Sequence, residues 1–115
     1  MAKKKLVYFV SLSSNVPYVL KEAVKNAEHG NDISIFFDLD GARVLDKRYL
    51  KIIERTHNMD LAQLMRRAMD LGVGFFGCQM NVLIADGLEL VDGAQLAGVA
   101  TFLDIAYQAD AVLSY

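Results

Sequence analysis

The chain has 115 residues and a mass of 12.8 kDa, a length that suits one domain, and we expect residues 1–115 to fold as a single unit. Hydrophobic residues make up 54% of the sequence and charged residues 23%, which excludes a disordered segment and leaves enough apolar surface for a core. The net charge of −2 gives a general nucleic-acid-binding role no electrostatic basis. The single cysteine excludes a disulfide scaffold and favours a reducing compartment.

No segment of the sequence predicts export or membrane insertion. The apolar run 6–10, which follows three lysines, is too short for a signal peptide. The longest weakly charged apolar stretch, 96–107, is shorter than the roughly 20 residues that span a bilayer. We therefore expect a cytoplasmic protein that binds neither membranes nor nucleic acid.

Charge is divided unevenly along the chain. Residues 1–67 hold all twelve Lys and Arg against eight acids, a net charge of +4, whereas residues 68–115 hold six acids and no base, a net charge of −6. The second part carries few charges of either sign, and a free surface of that size normally needs more polar cover. Either much of this part packs inside the molecule, or it packs against another copy of the chain.

Strand and helix signals alternate along the sequence. In chain order they predict a strand at 5–10, a helix that Asn15 caps and Gly30 ends, a strand at 32–38, a helix at 45–57, a helix that Asp60 caps and Gly72 ends, a strand at 73–77, a short helix at 80–85, a strand at 88–91, a helix at 95–108 and a strand at 111–114. The strands are apolar runs rather than period-two stripes. This pattern is typical of an α/β fold with a parallel sheet that helices cover on both faces.

The last predicted helix is apolar around more of its circumference than a helix lying on a sheet needs. Its only polar side chains are Gln95, Thr101, Asp104 and Gln108. The excess of apolar surface favours burial in an interface between copies of the chain. The alternative is that this helix is central in the monomer.

Two motifs suggest other functions. Residues 72–77 (GVGFFG) match the G-x-G-x-x-G dinucleotide pattern, but they follow a helix and run through a strand, so Gly72 is interpreted as a helix cap and Gly74 as a close-approach position. Asp38 and Asp40 resemble the first motif of haloacid-dehalogenase-type phosphatases. No Lys follows Lys51 and no convincing acid pair follows the motif, so we interpret the two carboxylates as residues of a solvated turn.

Metal and cofactor signals are absent from the sequence pattern, because His29, His57 and Cys78 do not have metal-ligand spacing. Cys78 is the candidate catalytic residue. It lies at the C-terminal end of the predicted strand 73–77, at the entrance to the predicted helix at 80–85, where open α/β sheets place their chemistry and where a helix N-terminus favours a thiolate. We therefore expect its pKa to be lowered. The alternative is a small buried apolar side chain.

Four segments together resemble the DsrE/DsrF-like family: 77–80 (GCQM), 92–93 (DG), 98–103 (GVATFL) and 109–112 (ADAV). The resemblance covers essentially the full length, including the opening strand–helix–strand. It implies a Rossmann-like, three-layer α/β/α sandwich with a mainly parallel sheet of about five strands. It also implies a homo-oligomer, often a trimer or hexamer.

The resemblance further implies a role in sulfur trafficking, in which Cys78 accepts a sulfane sulfur as a persulfide and passes it on, in a sulfurtransferase-like reaction. The partners would be sulfur donor and acceptor proteins or small persulfides. The backbone N–H groups of Gln79 and Met80 are candidates for stabilising the Cys78 thiolate. The alternative is a non-catalytic oligomeric binding or adaptor protein on the same fold, and a phosphatase-like site at Asp38 and Asp40 ranks below both.

Overall fold

A five-stranded parallel sheet lies at the centre of the computed structural model, which describes residues 3–78 and 87–115. The strands are β1 Lys5–Val10, β2 Asp32–Phe37, β3 Gly74–Cys78, β4 Gln95–Ala97 and β5 Ala111–Ser114. They lie in the order β4-β3-β2-β1-β5, and every pairing is parallel. The helices in the described ranges are α1 Val16–Glu28, α2 Lys47–His57, α3 Leu61–Asp70 and α4 Val99–Gln108. The predicted α/β fold is confirmed.

Helices cover the sheet on both faces. On one face, strand residues such as Tyr8 and Ile35 form the main core with buried side chains of α1, α2 and α3. On the other face, Phe102 of α4 packs edge-on against Phe9 and Phe36, with ring centroids 5.2 and 5.1 Å apart. From β1 to β4, each new strand is added on the same side of the one before it. The chain then returns through α4 to β5, which lies on the other side of β1. Because crossovers between parallel strands are right-handed, this change of direction places α4 on the face opposite α1. The result is a three-layer α/β/α sandwich.

The region between β3 and α4 differs from the prediction. Residues 88–91, predicted as a strand of the sheet, run instead beside the start of α2. There the Lys47 N–H donates to the Glu89 carbonyl at 2.8 Å, and the Val91 N–H donates to the Leu45 carbonyl at 2.8 Å. The edge strand beside β3 is β4, whose residues the sequence had assigned to the last helix. The predicted helix at 80–85 lies outside the described residues.

Gly98 explains the misplaced start of the last helix. It has an extended backbone, with φ −110° and ψ −176°, and occupies the N-cap position of α4. A glycine inside a helix costs about 1 kcal/mol relative to alanine, so a helix that begins after Gly98 avoids this cost. The three residues before it then pair with residues 76–78 of β3 and extend the sheet.

Most helix ends follow their local signals. Gly30 and Gly72 end α1 and α3 with φ of +87°, a conformation that suits glycine. Asp60 caps α3 as predicted, because its side chain accepts the Gln63 N–H at 3.0 Å. Asn15 occupies the N-cap position of α1, although its side chain makes no capping hydrogen bond.

Helix α2 begins two residues later than predicted. Residues Leu39–Leu45 form a 3₁₀ helix, and the Asp46 side chain accepts the Arg48 N–H at 3.0 Å to cap α2. The interpretation of Gly74 as a close-approach position is confirmed, because a Cβ there would lie 2.8 Å from a ring carbon of Phe76.

Gly41 fixes the contact between the loops that leave β1 and β2. Its N–H donates to the Ser11 carbonyl at 3.1 Å, and an added Cβ would overlap the Val10 carbonyl oxygen. We expect Gly41→Ala to lower the free energy of unfolding by about 1–3 kcal/mol, since backbone atoms cannot move aside as a flexible side chain can. Urea denaturation measures the effect.

The matched control is Gly98→Ser, which supplies a good N-cap residue and adds a side chain at a point where no atom of residues 3–78 or 87–115 lies within 4 Å. Its stability should stay within about 0.5 kcal/mol of the wild type. Equal stability of the two variants would show that the contact at Gly41 does not constrain the fold.

Candidate functional site

The carboxyl ends of β1, β2 and β3 meet at one edge of the sheet, where hydrogen bonds join the loops that follow them. The Asp40 carboxylate, after β2, accepts the N–H of Ser13, after β1, at 2.7 Å. The Asp38 N–H donates to the Val10 carbonyl at 2.9 Å. Hydrogen bonds from Ser13 lower the pKa of Asp40, because they stabilise the charged form. Asp40 is therefore an ionised residue that holds two loops together.

Cys78 lies at the same edge, as the last residue of β3. Phe37 pairs with Gly77, so the residues that follow them, Asp38 and Cys78, lie side by side where the two strands end. On its other side Cys78 pairs with Ala97 of β4. Only 4% of Cys78 is exposed. The predicted candidate thus sits at the strand end, with an acidic residue as its neighbour.

The expectation of a lowered thiol pKa is wrong for the described structure. Burial raises the pKa of Cys78, and the negative charge of Asp38 raises it further. Gln79 and Met80, the predicted thiolate-stabilising residues, lie outside the described residues. The sequence placed Cys78 beside a helix start but could not show that a carboxylate lies across the strand pair.

The Asp38 carboxylate accepts a hydrogen bond within its own turn, and the Asp40 carboxylate accepts one from the loop that follows β1. The Asp38 carboxylate accepts the Leu39 N–H at 2.9 Å, and the Asp40 carboxylate accepts the Ser13 N–H. Within residues 3–78 and 87–115, no group of three or more His, Cys, Asp or Glu side chains is placed to hold a metal ion. These contacts agree with the interpretation of a turn. That the two residues do not form a phosphatase site stays a prediction.

Sequence reasoning missed Leu39. This residue has φ of +50°, unusual for a side chain of its size, and it is 70% exposed beside Asp38. The sequence did contain a signal for its exposure, because a leucine between two acids in a predicted turn has no buried surface to pack against. Leu39 adds an exposed apolar side chain to the edge that carries Cys78.

Helix length gives a separate result. None of the helices in the described part of the chain is both long enough and apolar enough to cross a membrane.

The fold and the cysteine at a strand end define an α/β protein with its candidate site at the carboxyl edge of a parallel sheet. A model of the DsrE/DsrF/DrsH-like family matches residues 39–113, more than half of the chain, including Asp40 and Cys78. The chain belongs to the DsrE/DsrF/DrsH-like family. The resemblance seen in the sequence is therefore confirmed.

A solved structure gives the same fold. The crystal structure of the YchN protein from E. coli superposes with a TM-score of 0.76, covering 99% of this chain and 100% of that chain at 15% sequence identity. At this identity the likeness establishes the fold. No curated protein matches the sequence.

The charge of Asp38 leads to a prediction about the reactivity of Cys78. We expect Asp38→Asn to lower the pKa of the thiol, because it removes the negative charge while keeping an oxygen that can accept the Leu39 N–H. Alkylation of Cys78 by iodoacetamide near pH 7.5 should accelerate by about two- to fivefold, since the thiolate is the reacting form. The wild-type thiol should react more slowly than free cysteine.

Asp60→Asn is the matched control, because it neutralises another carboxylate that caps a backbone N–H. It should leave the alkylation rate unchanged. An equal rate in Asp38→Asn and wild type across the pH range would show that the Asp38 charge does not act on Cys78.

Proposed function

We propose that this protein carries sulfane sulfur as a persulfide on Cys78. The observation that carries the proposal is the position of the chain's only cysteine at the carboxyl end of β3, in a member of the DsrE/DsrF/DrsH-like family. Family membership supports a role of the sulfur-relay type. Open α/β sheets place their chemistry at this edge, which is an independent physical argument for the same residue.

The chemistry is a two-step transfer between soft sulfur atoms. The Cys78 thiolate attacks the outer sulfur of a donor persulfide, a new S–S bond forms on Cys78, the S–S bond of the donor breaks, and the donor leaves as a thiolate. An acceptor thiolate then attacks the outer sulfur of Cys78–S–SH, and Cys78 leaves as its thiolate. Neither step needs an external oxidant or reductant, because a disulfide-type bond is exchanged at each stage.

The environment of Cys78 limits how this transfer proceeds. A buried thiol with a raised pKa is mostly protonated at neutral pH, so it is a poor nucleophile towards small reagents. On this proposal, transfer is fast only when a donor protein displaces the neighbours of Cys78 and brings its persulfide to the sulfur. Small persulfides should react at a lower rate. The same protection would slow the loss of thiol to other oxidants.

The proposal predicts a reversible gain of sulfur on one residue. After incubation with polysulfide or a persulfidated donor protein, the intact mass of the wild type should rise by one sulfur atom, and a reductant should reverse the gain. Cys78→Ser should fold normally and gain nothing, because a hydroxyl cannot hold sulfane sulfur. Mass spectrometry of the intact chain measures both results.

A relocated thiol tests whether the position matters. The double variant Cys78→Ser with Thr56→Cys keeps one cysteine, but on the exposed surface of α2. It should take sulfur from polysulfide yet receive less than the wild type from a persulfidated donor protein. Equal transfer from the donor protein to both thiols would contradict a site at Cys78.

The burial and raised pKa of Cys78 also favour the second candidate, an adaptor on the same fold in which the cysteine is structural. Such a protein would bind partners without carrying sulfur. If the wild type stays unmodified by every donor while its thiol titrates above the usual range, the adaptor becomes the better assignment.

We also propose that the chain assembles with copies of itself, as a trimer or hexamer, through α4 and the two edge strands. No residue of α4 is buried, and apolar side chains of this surface are exposed: Leu96, Val99, Leu103, Tyr107, Val112 and Leu113. This surface lies in the part of the chain that has no Lys or Arg. An exposed apolar surface of this extent is typical of an interface.

Leu103→Asp should break this assembly, because it places a charge in the contact while leaving the core intact. Phe102 is unsuitable for the test, since it packs against Phe9 and Phe36, and its replacement would damage the fold. Multi-angle light scattering should show an oligomer for the wild type and a smaller species for Leu103→Asp.

Ile52→Asp is the matched control, because Ile52 is a similarly exposed apolar residue on α2. It should leave the mass of the assembly unchanged. A stable 12.8 kDa monomer for the wild type would contradict the proposed assembly.

A further inference from the structure

A groove with no role in the chemistry of Cys78 runs between α2, α3 and the segment 89–92. Its volume is about 730 Å³. Side chains from both helices and from Val91 form its floor, in which Met65 is buried and Ile52 is half-exposed. We refer to this feature as the α2/α3 groove.

Basic side chains form a stripe along the wall of the α2/α3 groove. Lys47, Lys51 and Arg55 follow one another at intervals of four residues, which places them on one face of α2. Arg48, which pairs with Asp46, also lines the groove, and Arg66 adds a fifth cation from α3. Like charges at this spacing destabilise a helix. The arrangement therefore carries an electrostatic cost that an anion bound in the groove would relieve.

Three carboxylates, Glu54, Glu89 and Asp92, line the groove and compensate the charge of its five cations only in part. Lys47 lies 3.5 Å from Asp92, but the Asp92 side chain is almost fully exposed, so the pair is weak. Glu54 accepts the Ala62 N–H at 3.1 Å, which occupies one of its oxygens.

Three cations of the groove have no carboxylate partner in the described ranges. Within residues 3–78 and 87–115, no carboxylate oxygen lies within 4.0 Å of the charged nitrogens of Lys51, Arg55 or Arg66. These side chains can therefore turn towards a ligand without breaking an ion pair.

We propose that the α2/α3 groove binds a small amphipathic organic anion, with its acidic group on Arg55 and Arg66 and its apolar body on the floor. The volume lies in the range of about 300–1,000 Å³ that small-molecule sites occupy. An apolar floor beside clustered cations selects against inorganic anions, which cannot pack on the floor. It also selects against neutral apolar molecules, which cannot pair with the cations. The site is independent of the persulfide proposal, since it does not include Cys78.

The two methionines of the groove allow a direct test by NMR. In protein labelled with ¹³C at the methionine methyl groups, decanoate should shift the Met65 and Met69 resonances, assigned with Met65→Leu and Met69→Leu. We expect saturation with a Kd of about 0.1–1 mM for such a small ligand. Decanol and inorganic phosphate, each lacking one half of the required chemistry, should cause no saturable shift at the same concentrations.

Charge variants test the role of the cations. Arg55→Gln with Arg66→Gln should weaken decanoate binding by about tenfold, since it removes the charged donors. The matched control is Lys21→Gln with Lys25→Gln, which removes two exposed cations from α1 and should leave the Kd unchanged. The NMR spectrum of each variant without ligand should be that of a folded protein, so that a change in Kd reflects the lost charges and not unfolding.

Several outcomes would overturn the proposal. They are the absence of any decanoate-dependent shift at Met65 and Met69, equal binding of decanol and decanoate, or equal weakening by the two charge variants. The first would show that the groove is not a site, and the other two would show that its cations do not recognise the anion. None of these outcomes bears on sulfur transfer at Cys78, so the two proposals fail separately.

Discussion

Parallel pairing of β1, β2 and β3 is the constraint on which the rest of this structure depends. Parallel strands require a crossover between each pair, so every strand leaves the sheet at the same edge. Residues far apart in the sequence, such as Ser13, Asp40 and Cys78, therefore meet at one edge. The hydrogen bond from Ser13 to Asp40 and the close contact of Gly41 with Val10 then fix the loops around this edge.

The same pairing decides the environment of Cys78. A cysteine at a strand end can be activated by a nearby positive dipole or kept protonated by burial and negative charge. In the described structure burial and Asp38 act together, and both raise the pKa of the thiol. A resting thiol of this kind suits a carrier that reacts mainly with a bound donor, and it equally suits a structural residue. A raised pKa is compatible with both roles, so sulfur transfer from a donor protein is the measurement that distinguishes a carrier from a structural cysteine.

The two faces of the sheet carry different surfaces. The face with α2 and α3 bears the basic stripe of the α2/α3 groove, and the face with α4 bears exposed apolar side chains. The two proposals assign a different contact to each side: an amphipathic anion to one, and another copy of the chain to the other.

The sequence by itself determined the fold class, because apolar strand runs and helical periodicity are local patterns. Helix ends at Gly30, Gly72 and Asp60 were predictable for the same reason, since a cap depends on residues within one turn. The family also followed from the sequence, whereas Cys78 as the catalytic residue stays a prediction.

Only the tertiary structure decided which part of segment 88–97 joins the sheet and which charge acts on Cys78. Residues 88–91 have a strand-like composition, but hydrogen bonds to the start of α2 hold them away from the sheet, and β4 takes the place beside β3. Asp38 and Cys78 are separated by 39 intervening residues and become neighbours only through the register of β2 and β3. Such long-range pairing depends on the free energy of the whole fold, and no local pattern encodes it.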